Sequence, residues 1–180
     1  MIRLFIAISP PNEIVKQLEQ ICFGLPGVRW TPPDQFHLTL RFIGDTEGSK
    51  FLDIKDSLAQ IKSPPFPLTL KNTGFFPPRK SPRVLWVGAD QGGKDDLKLL
   101  RQKIENRLGQ IGIPPEGRKY SPHMTIARIK NCPVNRITSF LEGSSFWQSQ
   151  PYQVEQFHLY SSILTAKGAI HNLEASFDLY

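Results

Sequence analysis

Two short phrases of the sequence each carry a histidine and, two residues later, a threonine. They read His37-Leu-Thr-Leu40 and His123-Met-Thr-Ile126, so the order in both is histidine, apolar, threonine, apolar. Because imidazole titrates near neutral pH, a pair of histidines can supply a neutral base and a protonated acid together. Threonine hydroxyls can donate hydrogen bonds to phosphoryl oxygens as negative charge builds on them. This set of groups suits the hydrolysis of a phosphodiester.

Each phrase is predicted to lie in a β-strand, where successive side chains alternate between faces. His37 and Thr39 therefore face the same way, as do His123 and Thr125, and the apolar residues between them point into the core. If the two strands meet, two imidazoles and two hydroxyls surround one cavity. A single His-x-Thr is more often a structural strand histidine, but two chance copies are expected in only about one percent of chains of this composition.

The elements that must position these phrases recur in the order β-α-β-α-β in both halves of the chain. The histidines lie 86 positions apart, and so do Pro65 and Pro151, which open the later strand of each half. Short apolar runs resemble one another, so coincidence is the alternative to duplication. Hydrophobic periodicity predicts strands at 3–8, 36–43, 66–76, 83–88, 122–129, 152–163 and 170–179, and helices at 12–23, 50–61, 94–111 and 133–141.

This order predicts an α+β fold made of duplicated units. We expect one two-lobed domain over residues 1–180, with pseudo-repeats of about 1–80 and 81–180 and a proline-rich loop at 75–82 between them. Antiparallel sheets would face a central cleft, with the helices outside, and each lobe would bring the same strand to the cleft.

The amino-acid composition is basic, which favours an anionic binding partner. The 180 residues carry a formal net charge of +6, which favours RNA or another phosphate compound as partner. Cys22 and Cys132 are too few for a disulfide framework and predict reduced thiols in a cytoplasmic protein. No apolar run approaches the length of a membrane span, and no metal-ligand or nucleotide-binding glycine motif is present. We therefore expect no membrane association, no metal and no cofactor. We also expect a monomer with no obligate protein partner.

Further candidate residues lie close to the two phrases. Arg41 comes two residues after Thr39, so regular alternation places it on the same face, where it either meets phosphate or is solvated. Phe42 and Arg128 occupy equivalent places, each five residues after its histidine. Core packing is the alternative role for Phe42.

Other polar and aromatic residues carry weaker signals. Trp147 and Tyr152 are candidates for a wall of a base pocket, with one of them expected in the core. His158 and His171 lack a threonine two residues later, and we interpret both as structural or surface residues.

The chain resembles the two-histidine phosphoesterases, in particular the RNA 2′,3′-cyclic phosphodiesterase branch first described as 2′-5′ RNA ligases. At residues 159–162 this family more often has an acidic residue, so the sequence departs from it there. The resemblance runs essentially from end to end and is carried by residues 3–7 (RLFIA), 29–33 (RWTPP), 36–44 (FHLTLRFIG), 82–86 (PRVLW) and 120–128 (YSPHMTIAR).

The resemblance implies a bilobal fold and metal-free hydrolysis of RNA 2′,3′-cyclic phosphate ends to 2′-phosphates. It implies that His37 protonates the leaving O3′ and that His123 activates water, although the near-symmetry of the site makes this assignment reversible. It also implies that Phe42 stacks a base and that Thr39, Thr125 and Arg128 meet phosphate. Ligation of 2′-5′ junctions would be the same chemistry run backwards.

Three other functions stay open from the sequence. One is a phosphodiesterase of the same fold acting on a small substrate, such as ADP-ribose 1″,2″-cyclic phosphate or another cyclic nucleotide. A second is a non-catalytic module that binds RNA ends, and a third is a histidine metalloprotein.

Overall fold

The computed structural model describes residues 1–78, 81–165 and 168–180. The predicted loop at 75–82 includes residues 79 and 80, which lie outside the described residues. The helices are α1 (Asn12–Glu19), α2 (Gly48–Leu58), α3 (Gln91–Gln110) and α4 (Val134–Gly143), with a 3₁₀ turn at Pro33–Gln35. The strands are β1 (Ile2–Ile8), β2 (Val28–Trp30), β3 (Leu38–Thr46), β4 (Phe66–Leu68), β5 (Leu70–Phe76), β6 (Val84–Ala89), β7 (Met124–Ile129), β8 (Tyr152–Val154), β9 (Gln156–Thr165) and β10 (Gly168–Asp178).

Two blocks of antiparallel strands form the sheet. One block has the order β10-β9-β1-β3. The other has the order β7-β6-β5, and the short strand β2 pairs with residues 127–129 at the end of β7. A single residue pair, Leu38 opposite Met124, joins β3 to β7 and thus one block to the other. The predicted α+β fold with duplicated units and antiparallel sheets is confirmed, and each block corresponds to one lobe.

The late strand of each half lies in the sheet of the other lobe. Strand β5, from the first half, pairs with β6, whereas β9, from the second half, pairs with β1. Strand β2, from the first half, also pairs with β7, so the chain crosses between the two blocks four times, which ties them together. The exact limits of the pseudo-repeats stay a prediction.

Helix α3 shows how local chemistry sets the elements. Asp90 caps its N-terminus by accepting a hydrogen bond from the Gly93 N–H at 3.3 Å, so the helix begins three residues before the predicted start. The side of α3 that faces the sheet is apolar at helical spacing. Its fully buried apolar residues are Leu97, Leu100, Ile104 and Leu108.

The predicted strand at 66–76 is wrong in one detail, because it is two strands. The Thr69 N–H leaves the ladder and donates to the Asp90 carboxylate at 3.0 Å, so the chain turns between β4 and β5. Strand β4 then pairs with β8 in a separate two-stranded sheet. The sequence does not predict the three-residue strand β2.

One buried apolar cluster holds the helices against the outer faces of both blocks. Alternate residues of β1, namely Leu4, Ile6 and Ile8, belong to this cluster, as do residues of all four helices. Phe5 lies between them on the opposite face and is buried without belonging to the cluster. We call this opposite face of the sheet the cleft face.

Cys22 and Cys132 are both free thiols, and burial raises the pKa of Cys22 to about 12. Within the described ranges, no helix combines the length and the apolarity needed to cross a membrane.

Candidate active site

His37 and His123 lie one residue before β3 and β7, at the point where the two blocks join. Their neighbours Leu38 and Met124 are a cross-strand pair with fully buried side chains. Since side chains alternate, both histidines project from the cleft face. In a regular antiparallel ladder His37 would face Thr125, and His123 would be its diagonal neighbour, about 7–8 Å away.

Both imidazoles are held in the same way by the backbone. His37 Nδ1 lies 2.8 Å from the carbonyl oxygen of Gln35, and His123 Nδ1 lies 2.7 Å from that of Ser121. A carbonyl oxygen can only accept, so each Nδ1 carries the proton that is donated. Each Nε2 is therefore left to exchange a proton with a bound molecule. The same arrangement, a histidine Nδ1–H that donates to the carbonyl oxygen two residues earlier, thus occurs in both halves of the chain.

Thr39 and Thr125 lie on the cleft face beside the histidines, and both are partly buried. Neither hydroxyl has a hydrogen-bond partner within the part of the chain that the structure describes. The backbone of β7 is fixed at this point by Thr31, whose hydroxyl donates to the Thr125 carbonyl at 3.0 Å and whose N–H donates to the Ile126 carbonyl at 2.9 Å. Both threonine hydroxyls are thus available to a ligand.

Matching β-bulges follow the two threonines. In β3, Thr39 pairs with Ala7 and Arg41 pairs with Ile6, so Leu40 is an extra residue. A bulge of one residue reverses the alternation beyond it. Arg41 consequently turns into the protein, and Phe42 returns to the cleft face with 52% of its surface exposed.

The same bulge occurs in β7. Thr125 pairs with Trp86 and Ala127 pairs with Leu85, which leaves Ile126 as the extra residue. Ile126 and Ala127 are both buried, and Arg128 returns to the cleft face, exposed. Phe42 and Arg128 are therefore equivalent in structure as well as in spacing.

The prediction that Arg41 shares the face of His37 is wrong. Only 6% of the surface of Arg41 is exposed. Its guanidinium group lies 3.0 Å from the carboxylate of Glu105 and 3.6 Å from that of Glu116. It also donates to the carbonyl oxygens of Phe42 and Pro114. Arg41 is a buried structural ion-pair residue that ties β3 to α3.

Aromatic side chains line both sides of the cleft. Phe5 lies under His37, with 5.1 Å between ring centroids, and Tyr160 stacks on Phe5 at 5.3 Å. On the other side, His123 lies 4.9 Å from the Phe76 ring and 6.4 Å from that of Trp86. These aromatic contacts support the imidazole rings. The contacts of Tyr160 and Phe76 are not revealed by the sequence, because β9 and β5 each join the sheet of the other half.

His171 is closer to the site than its sequence context indicates. Its ring meets that of His37 edge-on at 5.2 Å and that of Phe5 at 4.8 Å. Burial, and secondarily the charge of Arg128, lower the pKa of His171. His158 is also partly buried, and its Nδ1 lies 2.9 Å from the Ser176 hydroxyl.

Trp147 and Tyr152 do not reach the cleft. Both pack against the apolar core, and Tyr152 lies in β8 of the small sheet. Trp147 lines an outer groove beside α4. The idea that either forms a wall of a base pocket is not supported by this placement.

The surroundings of His37 disfavour its charged form. Burial is the largest effect and lowers the pKa of His37 to about 4, while its hydrogen bond to the Gln35 carbonyl acts in the opposite direction. Positive charge on His171, His123 and Arg128 lowers this pKa further. The cleft is therefore a cationic environment that favours the binding of an anion.

Across residues 1–78, 81–165 and 168–180, no group of three or more His, Cys, Asp or Glu side chains could hold a metal ion.

The fold and the paired histidine–threonine phrases define a two-histidine phosphoesterase. The family model described as LigT like Phosphoesterase matches residues 8–86 and again residues 87–171. The chain belongs to this family and is a phosphoesterase. The two consecutive matches also bear out the duplication.

Relatives and solved structures agree over nearly the whole chain. The chain is 31% identical over 174 residues to the RNA 2′,3′-cyclic phosphodiesterase of Archaeoglobus fulgidus, covering 94% of this chain and 96% of the relative. For the enzyme of the same name from Thermotoga maritima the identity is 33%, covering 95% and 92%. The crystal structure of TT0787 from Thermus thermophilus matches with a TM-score of 0.81 at 26% identity, covering 98% and 97%. That of E. coli LigT complexed with 3′-AMP matches with a TM-score of 0.78 at 25% identity, covering 99% and 98%.

Proposed function

We propose that the protein hydrolyses 2′,3′-cyclic phosphates at RNA ends to 2′-phosphomonoesters, with His37 and His123 as a metal-free acid–base pair. One observation carries the proposal. Both imidazoles donate from Nδ1 to a carbonyl two residues earlier, and both stand beside a threonine hydroxyl that has no partner among the described residues. The names of the relatives supply the substrate class.

The reaction needs two proton transfers around one phosphorus atom. Water attacks phosphorus and gives a proton to Nε2 of the neutral histidine. As the P–O3′ bond breaks, Nε2–H of the protonated histidine gives a proton to O3′, and O2′ stays bound to phosphorus. Hydroxyl groups of Thr39 and Thr125 donate to the non-bridging oxygens, and Arg128 offsets their charge.

The family resemblance makes His37 the acid and His123 the base. An acid must be protonated, whereas the pKa of His37 in the unliganded protein is about 4. A phosphate anion in the cleft favours the charged form of a nearby imidazole and raises its pKa. The substrate itself would thus charge its acid, although the near-symmetry of the site makes the assignment of the two roles reversible.

Phe42 is proposed to stack the terminal base, since its exposed ring lies 5.9 Å from Phe5 on the cleft face. Ligation of 2′-5′ junctions would be the reverse reaction. We expect the protein to act as a cytoplasmic monomer.

The decisive assay uses an RNA oligonucleotide that ends in a 2′,3′-cyclic phosphate, with EDTA present. The product is compared by chromatography with authentic 2′- and 3′-phosphate standards. We expect the 2′-phosphate and full turnover in EDTA, with His37→Ala inactive. As a matched control, His158→Ala removes a histidine that lacks the threonine partner, and it should retain turnover. A 3′-phosphate, or activity lost on chelation, would overturn the proposal, and binding without turnover would favour an RNA-end-binding module.

A further inference from the structure

Arg29 and Arg128 form a directly opposed pair of arginines. Arg29 in β2 is the register partner of Arg128 in β7. Directly opposed residues project from the same face of a sheet, so both guanidinium groups lie on the cleft side. Both residues are exposed.

Neither member of this pair is neutralised by the described part of the protein. Like charges directly opposite each other destabilise a sheet, and such a pair is expected to recruit carboxylates. Within the described ranges, neither Arg29 nor Arg128 makes a side-chain hydrogen bond or an ion pair. Other arginines do pair with carboxylates, namely Arg3, Arg41, Arg101 and Arg118. The uncompensated charge therefore points to an anion supplied from outside.

The position of the Arg29 side chain ties it to the cleft. Its guanidinium group packs against Gly168, where a Cβ atom would lie only 2.7 Å from a guanidinium nitrogen. Strand β2 belongs to one lobe, and Gly168 begins β10 at the far edge of the other. Three residues along β10 is His171, whose ring contacts that of His37. Arg29 thus reaches from one lobe to the other and contacts the strand that carries His171.

The two arginines stand at different distances from the reaction. Arg128 is close enough to His37 for its charge to affect the imidazole. Arg29 lies on the neighbouring strand β2, with its Cα atom about 5 Å from that of Arg128, and its charge is not among those that lower the pKa of His37. In an RNA chain, the next anion after the terminal phosphate is the phosphodiester on the 5′ side of the last nucleoside.

We propose that Arg29 binds this preceding phosphodiester, so that the site prefers the end of an RNA chain to a cyclic mononucleotide. The inference rests on the proposed function and names its substrate class. A cyclic mononucleotide has one phosphate and cannot use Arg29, whereas a dinucleotide already can.

The test compares adenosine 2′,3′-cyclic phosphate with ApA ending in a 2′,3′-cyclic phosphate. The quantity measured is the ratio of kcat/KM for the dinucleotide to kcat/KM for the mononucleotide. We expect Arg29→Gln to lower this ratio by about tenfold, mainly through KM of the dinucleotide, because one charge-assisted contact is lost. Arg29→Lys should keep most of the ratio.

Salt dependence and a control complete the test. For the dinucleotide, the slope of log kcat/KM against log salt concentration should be smaller in magnitude by about 0.7 in Arg29→Gln than in the wild type. This is the change expected for one lost phosphate contact on a single strand. Arg136→Gln removes another arginine without a side-chain partner in the described residues, on α4, and should leave the ratio as in the wild type. If the wild type hydrolyses both substrates and Arg29→Gln keeps the ratio, this inference fails and the proposed function stands. If the wild type hydrolyses neither, the proposed function fails.

Discussion

His37 is the residue whose surroundings say most about the chemistry of the cleft. Its ring is packed between Phe5 and His171, and its Nδ1 is tied to a backbone carbonyl. Burial and neighbouring positive charge lower its pKa to about 4, which favours the neutral imidazole at physiological pH in the unliganded protein. In the proposed mechanism this residue gains a proton together with the substrate.

The proton affinity of His37 is predicted to depend on phosphate. In an NMR pH titration of the unliganded protein, we expect His37 to be neutral at pH 7, with its proton on Nδ1, and to titrate near pH 4. Saturating inorganic phosphate should move this pKa upward, because the anion stabilises the imidazolium ion. A His37 pKa near 6.5 in the unliganded protein, or no change with phosphate, would contradict this description of the site. His158, which also has a lowered pKa, serves as an internal reference.

At the scale of the elements, the two β-bulges determine which residues enter the cleft. The extra residues Leu40 and Ile126 reverse the strand alternation, so that Phe42 and Arg128 reach the cleft face and Arg41 leaves it. The burial of Arg41 gives β3 a polar link to α3 through Glu105. The packing around both strands can be tested by substitution.

Arg41→Ala is predicted to destabilise the protein by about 3 kcal/mol. The substitution leaves the partly buried Glu105 with less compensation, and removing one partner of a buried ion pair is costly. Urea unfolding measures the effect. Arg118→Ala is the matched control, because Arg118 pairs with the same Glu116 but its side chain is 79% exposed, and it should cost less than about 1 kcal/mol. Equal effects of the two substitutions would show that the burial of Arg41 is unimportant.

Gly74→Ala is predicted to disturb the wall beside His123. A Cβ at Gly74 would lie 2.3 Å from the Trp86 ring, so the indole must shift. We expect a loss of about 1–3 kcal/mol in the free energy of unfolding and a change in tryptophan fluorescence. Gly109→Ala, in α3, meets nothing within 4 Å and should stabilise by up to about 1 kcal/mol. Unchanged stability and fluorescence in Gly74→Ala would contradict the close packing of Trp86.

The sequence predicts the order of the elements well and their register poorly. Periodicity identifies all four helices and the strands beside His37 and His123, because long apolar patterns depend on burial alone. The bulge at Leu40 has no local signal, since an extra apolar residue in an apolar strand leaves the pattern unchanged. Regular alternation therefore predicts the wrong face for Arg41.

The remaining parts of the site depend on contacts that are distant along the chain. Phe5 and Tyr160 meet because β9 crosses to the sheet of the first lobe. No spacing between residues 5 and 160 could indicate this. The repeated histidine–threonine phrase is detectable because each copy is local, and two copies in matching halves are rare by chance.

At the scale of the whole molecule, duplication and strand exchange place two equivalent histidine–threonine pairs on one cleft. The two blocks meet at a single pair, Leu38 and Met124, directly beside the histidines. Because late strands cross between the lobes, the relative position of the two imidazoles is set by the sheet and not by a flexible link. We therefore expect His37 and His123 to act on the same phosphorus atom.

The most direct test is the pH dependence of hydrolysis of an RNA 2′,3′-cyclic phosphate, in EDTA, by the wild type, His37→Ala and His123→Ala. The wild type should give bell-shaped profiles. The kcat/KM profile should show a limb near pH 4, the pKa of His37 in the free enzyme. In kcat, where bound phosphate raises the pKa of His37, this protonated acid should set the alkaline limb, so that activity falls as pH rises through the raised pKa. Each alanine variant should lose about 10²–10⁴ in kcat together with one limb of the bell. A flat wild-type profile, or a complete bell at near-normal rate in either variant, would contradict the paired roles of the two histidines.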